Sequence, residues 1–523
     1  MSQVCTSEAV PYRSDARWAR TCSDLKGSLR ERKQRECRLR QQLDVANEKL
    51  RQLQRCNHSL ARKADDAQRE LEFHRVQAAA QANAAAYPNE RPLPGHQFST
   101  RMIALAIELA KRVGFRAAEF ALKKVFDAWG IDRKVPSHDA IEQWTLRVGV
   151  AELADTFTKD QRVLWMADHS NQIGQEKVLL IVGILIDDLP QPGDTLNMDK
   201  LKVLAIVPGK SWTKEDVESE YKKLAGKTGP PVYLLCDGAV ELREPAEKLE
   251  KDGRKTIALG DLKHHAANLL EKQIGRDERF KAFMSEVGLA RSRVQQTELG
   301  HFTPLSPRPK SRFMNLAALL RWSQMVLHHL AHPESASRRD ITVERMEEKF
   351  GWMRGFTAEL SVWSDCQAVI GQTLAWINRQ GLTASSSAEL RQQLAVWFEA
   401  SKTPSAAREI AEGLLKFIRE HEQRLPSGGR AWLSTEIIES LFGRFKRLER
   451  QHSKGGFTRL IAALPTLCRN VTQEMIRHRF TSTKSRDVLN WLRQTLPNTL
   501  TARRNAAYRE FQPARKTTAA KQP

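Results

Sequence analysis

Between Leu39 and Leu71 the apolar positions step alternately by four and three: Leu39, Leu43, Ala46, Leu50, Leu53, Asn57, Leu60, Ala64, Ala67 and Leu71. This is the a/d seam of a coiled coil, and Asn57 at an a-like position sets register and oligomer state at some cost in stability. No second heptad segment of similar length is present, so the pattern predicts self-association rather than an internal hairpin. The basic run RERKQRECRLR reads as a solvated face of the coil. Next comes AAAQANAAAYPNERPLPGHQ, in which Pro88, Pro92 and Pro94 predict a linker.

Three short helical patterns follow, over about 100–113, over 115–129 ending at Gly130, and from Pro136 onward with Ser137 as N-cap. Short helices, a glycine turn and a polar-fronted third helix predict a helix-turn-helix. Ser137, His138, Asp139 and Glu142 are expected on its exposed face, with Arg147 as a further DNA contact. Ile141, Trp144 and Leu146 are expected in its core.

From residue 160 the period becomes strand-like. VLWMAD (163–168), KVLLIVGILID (177–187) and LKVLAIVPG (201–209) predict three strands. A charged helix crosses to VYLLCDG (232–238), and a second helix leads to KTIALGD (255–261). Three strands, helix, strand, helix, strand is the order of the ribonuclease H-like fold, a mixed five-stranded sheet with crossover helices on its faces. Helical periodicity then returns, interrupted by PSGGR before AWLSTEIIESLFGRFKRLER.

These patterns divide the chain into a basic arm and coiled coil (1–78), a linker (79–98), a helix-turn-helix domain (99–150) and the sheet with its crossover helices (158–274). An all-helical insertion (275–428), a glutamate-bearing helix with closing helices (429–482) and a basic tail (483–523) complete it. The last stretch, TARRNAAYREFQPARKTTAAKQP, has Glu510 as its only acid and reads as disordered. Its cations, Arg503 and Arg504 among them, suit DNA phosphates.

Charge sharpens the expectation. The 523 residues carry 84 Lys and Arg against 62 Asp and Glu, a formal net charge of +22. Counterion release drives so basic a protein onto nucleic acid. The longest apolar run, Val178–Ile186, is too short to span a bilayer, and MSQVCTSEAVPYRSD lacks the apolar core of a signal peptide. Seven cysteines without a C-x-x-C pair argue against a disulfide framework or a structural zinc, so a cytoplasmic protein is expected. A phosphate-cradling glycine loop is absent from the sequence, which argues against ATP-driven chemistry.

The strand-end acids are the candidate chemistry. Asp168 and Asp237 end the first and fourth strands, which are neighbours in a ribonuclease H-like sheet. A third carboxylate is expected from the later helix, where Glu436 and Glu439 share one face; Glu439 is preferred. Three hard oxygen donors in an open cluster suit magnesium, and two such ions about 3.5–4 Å apart catalyse phosphodiester displacement. Asp261 is either a further ligand or the N-cap of LKHHAANLL. Of His264 and His265, one is expected to face phosphate and the other solvent. Trp363 and Cys366 are expected in the core of the insertion.

Around these acids, DHSNQIGQEKVLLIVGI, YLLCDGA, GDLKHHAANLLEK and STEIIESLFGRFKRLE stand in the order found in DDE transposases of bacterial insertion sequences, and the chain resembles them over about 100–480. The resemblance implies cleavage at transposon ends and strand transfer to target DNA, with two Mg2+ or Mn2+ ions. Arg444 and Lys446 match the basic residues that follow the family's catalytic glutamate. It also implies a homodimer or higher homo-oligomer on double-stranded DNA, away from membranes and associated with a bacterial nucleoid. Two other readings fit the same modules: an inactive or domesticated DNA-binding descendant, and a structure-specific nuclease of the same fold.

Overall fold

The computed structural model describes residues 15–86, 92–173, 176–251, 256–305, 313–314, 316–332, 341–400, 404–451, 459–496 and 500–511. The chain divides into two units, one ending at Gln97 and the other beginning at Phe98.

Within the first unit, residues 15–86 form one helix, α1 (Asp15–Ala86), of 72 residues. At 1.5 Å per residue it is about 108 Å long. Leu39, Leu43, Leu50, Leu53, Leu60 and Leu71 all lie exposed along it. The helix continues eight residues past the expected start of the linker, through AQANAAA, because alanine has the highest helix propensity. Pro88 falls outside the described residues.

In the second unit, α2 (Thr100–Val113) begins where Ser99 accepts from Met102 N, and α3 (Phe115–Ala128) follows across Gly114, whose φ of +87° suits a residue without a Cβ. α4 (His138–Ala154) is capped by Ser137, which accepts from Ala140 N. This helix is not a free-standing reader. It packs on α2, α3 and the 3-10 segment Arg459–Leu467. At Gly149 an added Cβ would lie 1.8 Å from Ala462 O.

The five strands are β1 (Val163–Ile173), β2 (Glu176–Leu185), β3 (Lys202–Gly209), β4 (Tyr233–Cys236) and β5 (Ile257–Gly260). Their order is β3-β2-β1-β4-β5, with β1–β2 and β2–β3 antiparallel and β1–β4 and β4–β5 parallel. That mixed sheet is the ribonuclease H-like arrangement the element order predicted. One expectation is corrected: β1 does not end at Asp168. Its antiparallel partner continues beyond that point, and Asp168 pairs with Leu180. Only the parallel pairing to β4 stops, at Ala167 and Cys236.

The two sheet faces are covered differently. Trp165, Ala167, Leu234 and Cys236 pack with Tyr221 and Leu224 of α5 (Lys214–Thr228) and Leu242 of α6 (Val240–Lys251). On the other face, Leu164, Met166, Leu235 and Leu259 pack with α7 (Leu262–Ile274) and the remaining helices. These include α8 (Glu278–Val294), α9 (Leu316–Ala331), α10 (Val343–Phe350), α11 (Thr357–Gln380), α12 (Ser386–Ala400) and α13 (Ser405–Glu422). Trp363 and Cys366 are buried in this block, as expected.

Next come α14 (Glu436–Arg450), α15 (Gln473–Ser482), α16 (Ser485–Thr495) and α17 (Leu500–Phe511). The disordered reading of the last stretch is corrected over α17; the part of it past Phe511 lies outside the described residues. Val488 and Leu492, four residues apart, give α16 an apolar face that joins the core. Among the described residues, no helix is long and apolar enough to cross a membrane.

Candidate carboxylate site

Ala167, Cys236 and Gly260 are register partners across the three parallel-paired strands. The residue after each is an aspartate: Asp168, still within β1, and Asp237 and Asp261, just past the ends of β4 and β5. With strands about 4.8 Å apart, three carboxylates therefore line one edge of the sheet. Side chains alternate along a strand, so Asp168 shares the face of Met166. α14 touches β1 on this face. His169 takes the opposite face and stacks on Trp212, with 6.1 Å between ring centroids.

The aspartates are not equivalent. Asp168 is 7% exposed, and its Oδ1 accepts from His169 N at 2.6 Å. Burial pushes its pKa well above the usual carboxylate range, and the negative charges of Asp237, Glu439 and Asp261 add to the shift. Asp237 is half-buried, with Oδ1 accepting from Ala239 N at 2.9 Å. Burial raises its pKa too, reinforced by Glu241 and Asp261 and opposed by the Ala239 bond and His264.

Asp261 has a structural task instead. Its Oδ1 accepts from His264 N at 2.7 Å, capping α7, one of the two roles the sequence left open for it. Its Oδ2 accepts from Thr435 N at 2.6 Å and from Thr435 Oγ1 at 2.7 Å. Beside these, Leu262 N donates to Leu433 O at 2.9 Å. Asp261 thus clamps the start of α14 to the end of β5 across a chain separation of 174 residues. Both its oxygens are engaged.

The first turn of α14 presents Glu436 and Glu439, and acids are favoured at that helix end. Both lean on one cation: Lys263 Nζ is 2.8 Å from Glu436 Oε1 and 3.1 Å from Glu439 Oε2. Burial works against that ammonium, yet hydrogen bonding and charge from the two glutamates hold its pKa above the ordinary value. Glu436 also accepts from Asn378 Nδ2 at 3.4 Å, while Glu439 is the one whose charge reaches Asp168. Among the described residues, no three His, Cys, Asp or Glu side chains converge closely enough to hold a metal ion. The donor set still fits one in its chemistry: every donor is a carboxylate oxygen, and several negative charges gather at one end of the sheet.

Beside Asp237 lies a cavity of about 460 Å³ between the ends of β4 and β5, α6, α7 and α13. His265 lines it, half-buried and stacked on Phe417 at 4.1 Å. His421 Nε2 accepts from Gly260 N at 2.9 Å, while its Nδ1 lies 2.8 Å from Phe417 O. Nothing in the local pattern around His421 signals this contact.

The expected DNA contacts are scattered. Ser137 and Asp139 are exposed at the start of α4. His138 is half-buried, with Nδ1 and its backbone N–H on Glu119 Oε2 at 2.7 and 2.8 Å. Glu142 is corrected from exposed to buried: Arg459 Nε donates to it at 2.7 Å. Arg147, expected as a DNA contact, is half-buried and engaged within the chain. It donates to Thr483 O at 2.6 Å and Phe480 O at 2.7 Å, and its guanidinium lies over the Phe480 ring. Arg444 is exposed and donates to Leu467 O at 2.9 Å; Lys446 is half-buried. Arg503 and Arg504 are exposed on α17. A basic face missed in the sequence lies on α3, where Arg116, Phe120, Lys123 and Lys124 are all exposed. Their spacing of four, three and one was the readable signal.

Sheet order and edge carboxylates together define a ribonuclease H-like α/β core with an acidic site. No family model matches this chain, and no curated protein matches it. Among solved structures, a chain titled "Drosophila P element transposase strand transfer complex" is similar at a TM-score of 0.37 and 12% identity. The match covers 79% of this chain and 100% of that one. So distant a likeness is no basis for assigning an activity, which has to come from the carboxylates.

Proposed function

We propose that this chain is a DDE-type transposase that binds the ends of a mobile element, cleaves phosphodiester bonds there and joins the freed strand to target DNA. The observation that carries the reading is the aspartate pair: Asp168 and Asp237 follow directly on the paired residues Ala167 and Cys236 of two parallel strands. Asp168, Asp237 and Glu439 are the residues that would hold Mg2+ or Mn2+. Two such ions, when bound, supply Lewis-acid stabilisation of the attacking and leaving oxygens. The chain's own part is preorganisation. Burial around Asp168 keeps solvent out, and the Asp261–Thr435 clamp holds the glutamate helix at the sheet edge. Asn378 draws Glu436 aside, which favours Glu439 as the third acid.

Double-stranded DNA is the proposed partner. The exposed face of α3, the start of α4 and the arginines of α17 are the surfaces offered to it, and α1 is the element that joins copies of the chain. A second reading, an inactive DNA-binding descendant, draws on one observation: Lys263 ties up both glutamates of α14.

One set of variants tests both readings. Asp168→Asn and Asp237→Asn should each abolish magnesium-dependent nicking of end DNA while leaving duplex affinity within a few-fold. Glu439→Gln should match them and Glu436→Gln should not. Nicking at the wild-type rate by either aspartate variant would sink the catalytic assignment, and a wild-type chain that binds ends without nicking them favours the inactive descendant.

A further inference from the structure

Lys263 stands in an unusual position. It occupies the first turn of α7, two residues after the N-cap Asp261, where the helix dipole disfavours a cation. Its side chain is 20% exposed, so its charge is also partly desolvated. What holds it there is the pair of α14 glutamates at 2.8 and 3.1 Å. Those glutamates are the acids that a third metal ligand would have to come from. A single ammonium therefore bridges Glu436 and Glu439 on the very face where Asp168 and Asp237 repel each other.

We propose that Lys263 is a built-in counter-ion that holds Glu439 in an ion pair and must be displaced before a divalent cation can use that carboxylate. This rests on the reading of Asp168, Asp237 and Glu439 as metal ligands. Three features support it. The ion pair accounts for the lack of a three-acid cluster among the described residues, since α14's acids lean toward Lys263. Glu439 sits in the first turn of α14, the helix that touches β1, the strand carrying Asp168. The clamp between Asp261 and Thr435 fixes the backbone of both helices, so the exchange needs side-chain rotation alone. Without a divalent ion Lys263 limits the repulsion among the acids. With one it competes. The enzyme's demand for metal would then be set by a lysine that touches no metal.

The test is direct Mn2+ binding to the full chain, followed by electron paramagnetic resonance of the free ion, with thermal unfolding measured alongside. Lys263→Met should bind Mn2+ roughly tenfold more tightly than wild type, a modest figure for one partly screened unit charge at this range. Without metal the same variant should melt below wild type, and Mn2+ should close that gap. Lys263→Arg keeps the charge and should stay near wild-type affinity. If Lys263→Met does not fold, Lys263→Gln reads the same competition. Asp168→Asn separates the two levels of inference. If wild type binds Mn2+ more tightly than Asp168→Asn but Lys263→Met binds no more tightly than wild type, the counter-ion is overturned and the metal site stands. If wild type and Asp168→Asn bind alike, the metal site fails and the counter-ion with it.

Discussion

Asp168 is 7% exposed and lies among like charges, so its ionised form is held at a cost to folding. Removing that charge while keeping the shape should stabilise the resting protein. Asp168→Asn is expected to raise Tm in metal-free buffer by a few degrees, at roughly 2–4 °C per kcal/mol. Asp261→Ala should do the reverse. It strips the acceptor from His264 N and from both donors of Thr435, a loss on the order of 3 kcal/mol. Scanning calorimetry of the two variants decides between a ligand and a clamp: if Asp261→Ala also raises Tm, Asp261 belongs with the ligands. The sequence marked Asp168 and Asp237 because a carboxylate closing an apolar run is itself anomalous. It left Asp261 open because the deciding partner, Thr435, lies 174 residues away. It passed over Lys263 because lysines are ordinary on any amphipathic helix.

Among the elements, α4 shows where patterning alone misleads. Its first turn looks like a reading head, with Ser137 capping an exposed start. Its later turns carry Glu142 and Arg147, and charged residues on a helix are expected in water by default. Their partners, Arg459, Phe480 and Thr483, are supplied by elements more than 300 residues onward. Local periodicity contains no trace of a contact that distant. Strand placement was far more readable, since the apolar runs of β1 to β5 are continuous and each is bounded by polar residues. Gly149 provides the test of how tightly α4 is built in. Gly149→Ala would normally favour a helix, but here the methyl group would meet Ala462 O. A net loss of about 1–3 kcal/mol is expected. Unchanged or increased stability in denaturant titration would mean that α4 sits free of the 3-10 segment.

At the scale of the molecule, the two units differ in what holds them. The unit from Phe98 onward has a sheet buried on both faces. The unit ending at Gln97 carries the long helix α1, whose leucines are exposed at 54–66% from Leu39 to Leu71. A lone helix gains little from ion pairs such as Arg40–Glu36 and Arg51–Glu48, each worth a few tenths of a kcal/mol. Six exposed leucines at heptad spacing are better matched by a second copy of the same seam, which buries each of them for about 1.5–3 kcal/mol relative to water. Asn57 would then face its own equivalent and select one register. Deleting residues 1–97 should therefore lower the mass measured by light scattering at micromolar concentration to that of a smaller assembly. The melting transition of the sheet-containing unit should stay in place, since none of its core residues is removed. Asn57→Leu should strengthen the association while loosening its stoichiometry. An unchanged assembly after the deletion would move self-association to the sheet-containing unit and leave α1 without its proposed role.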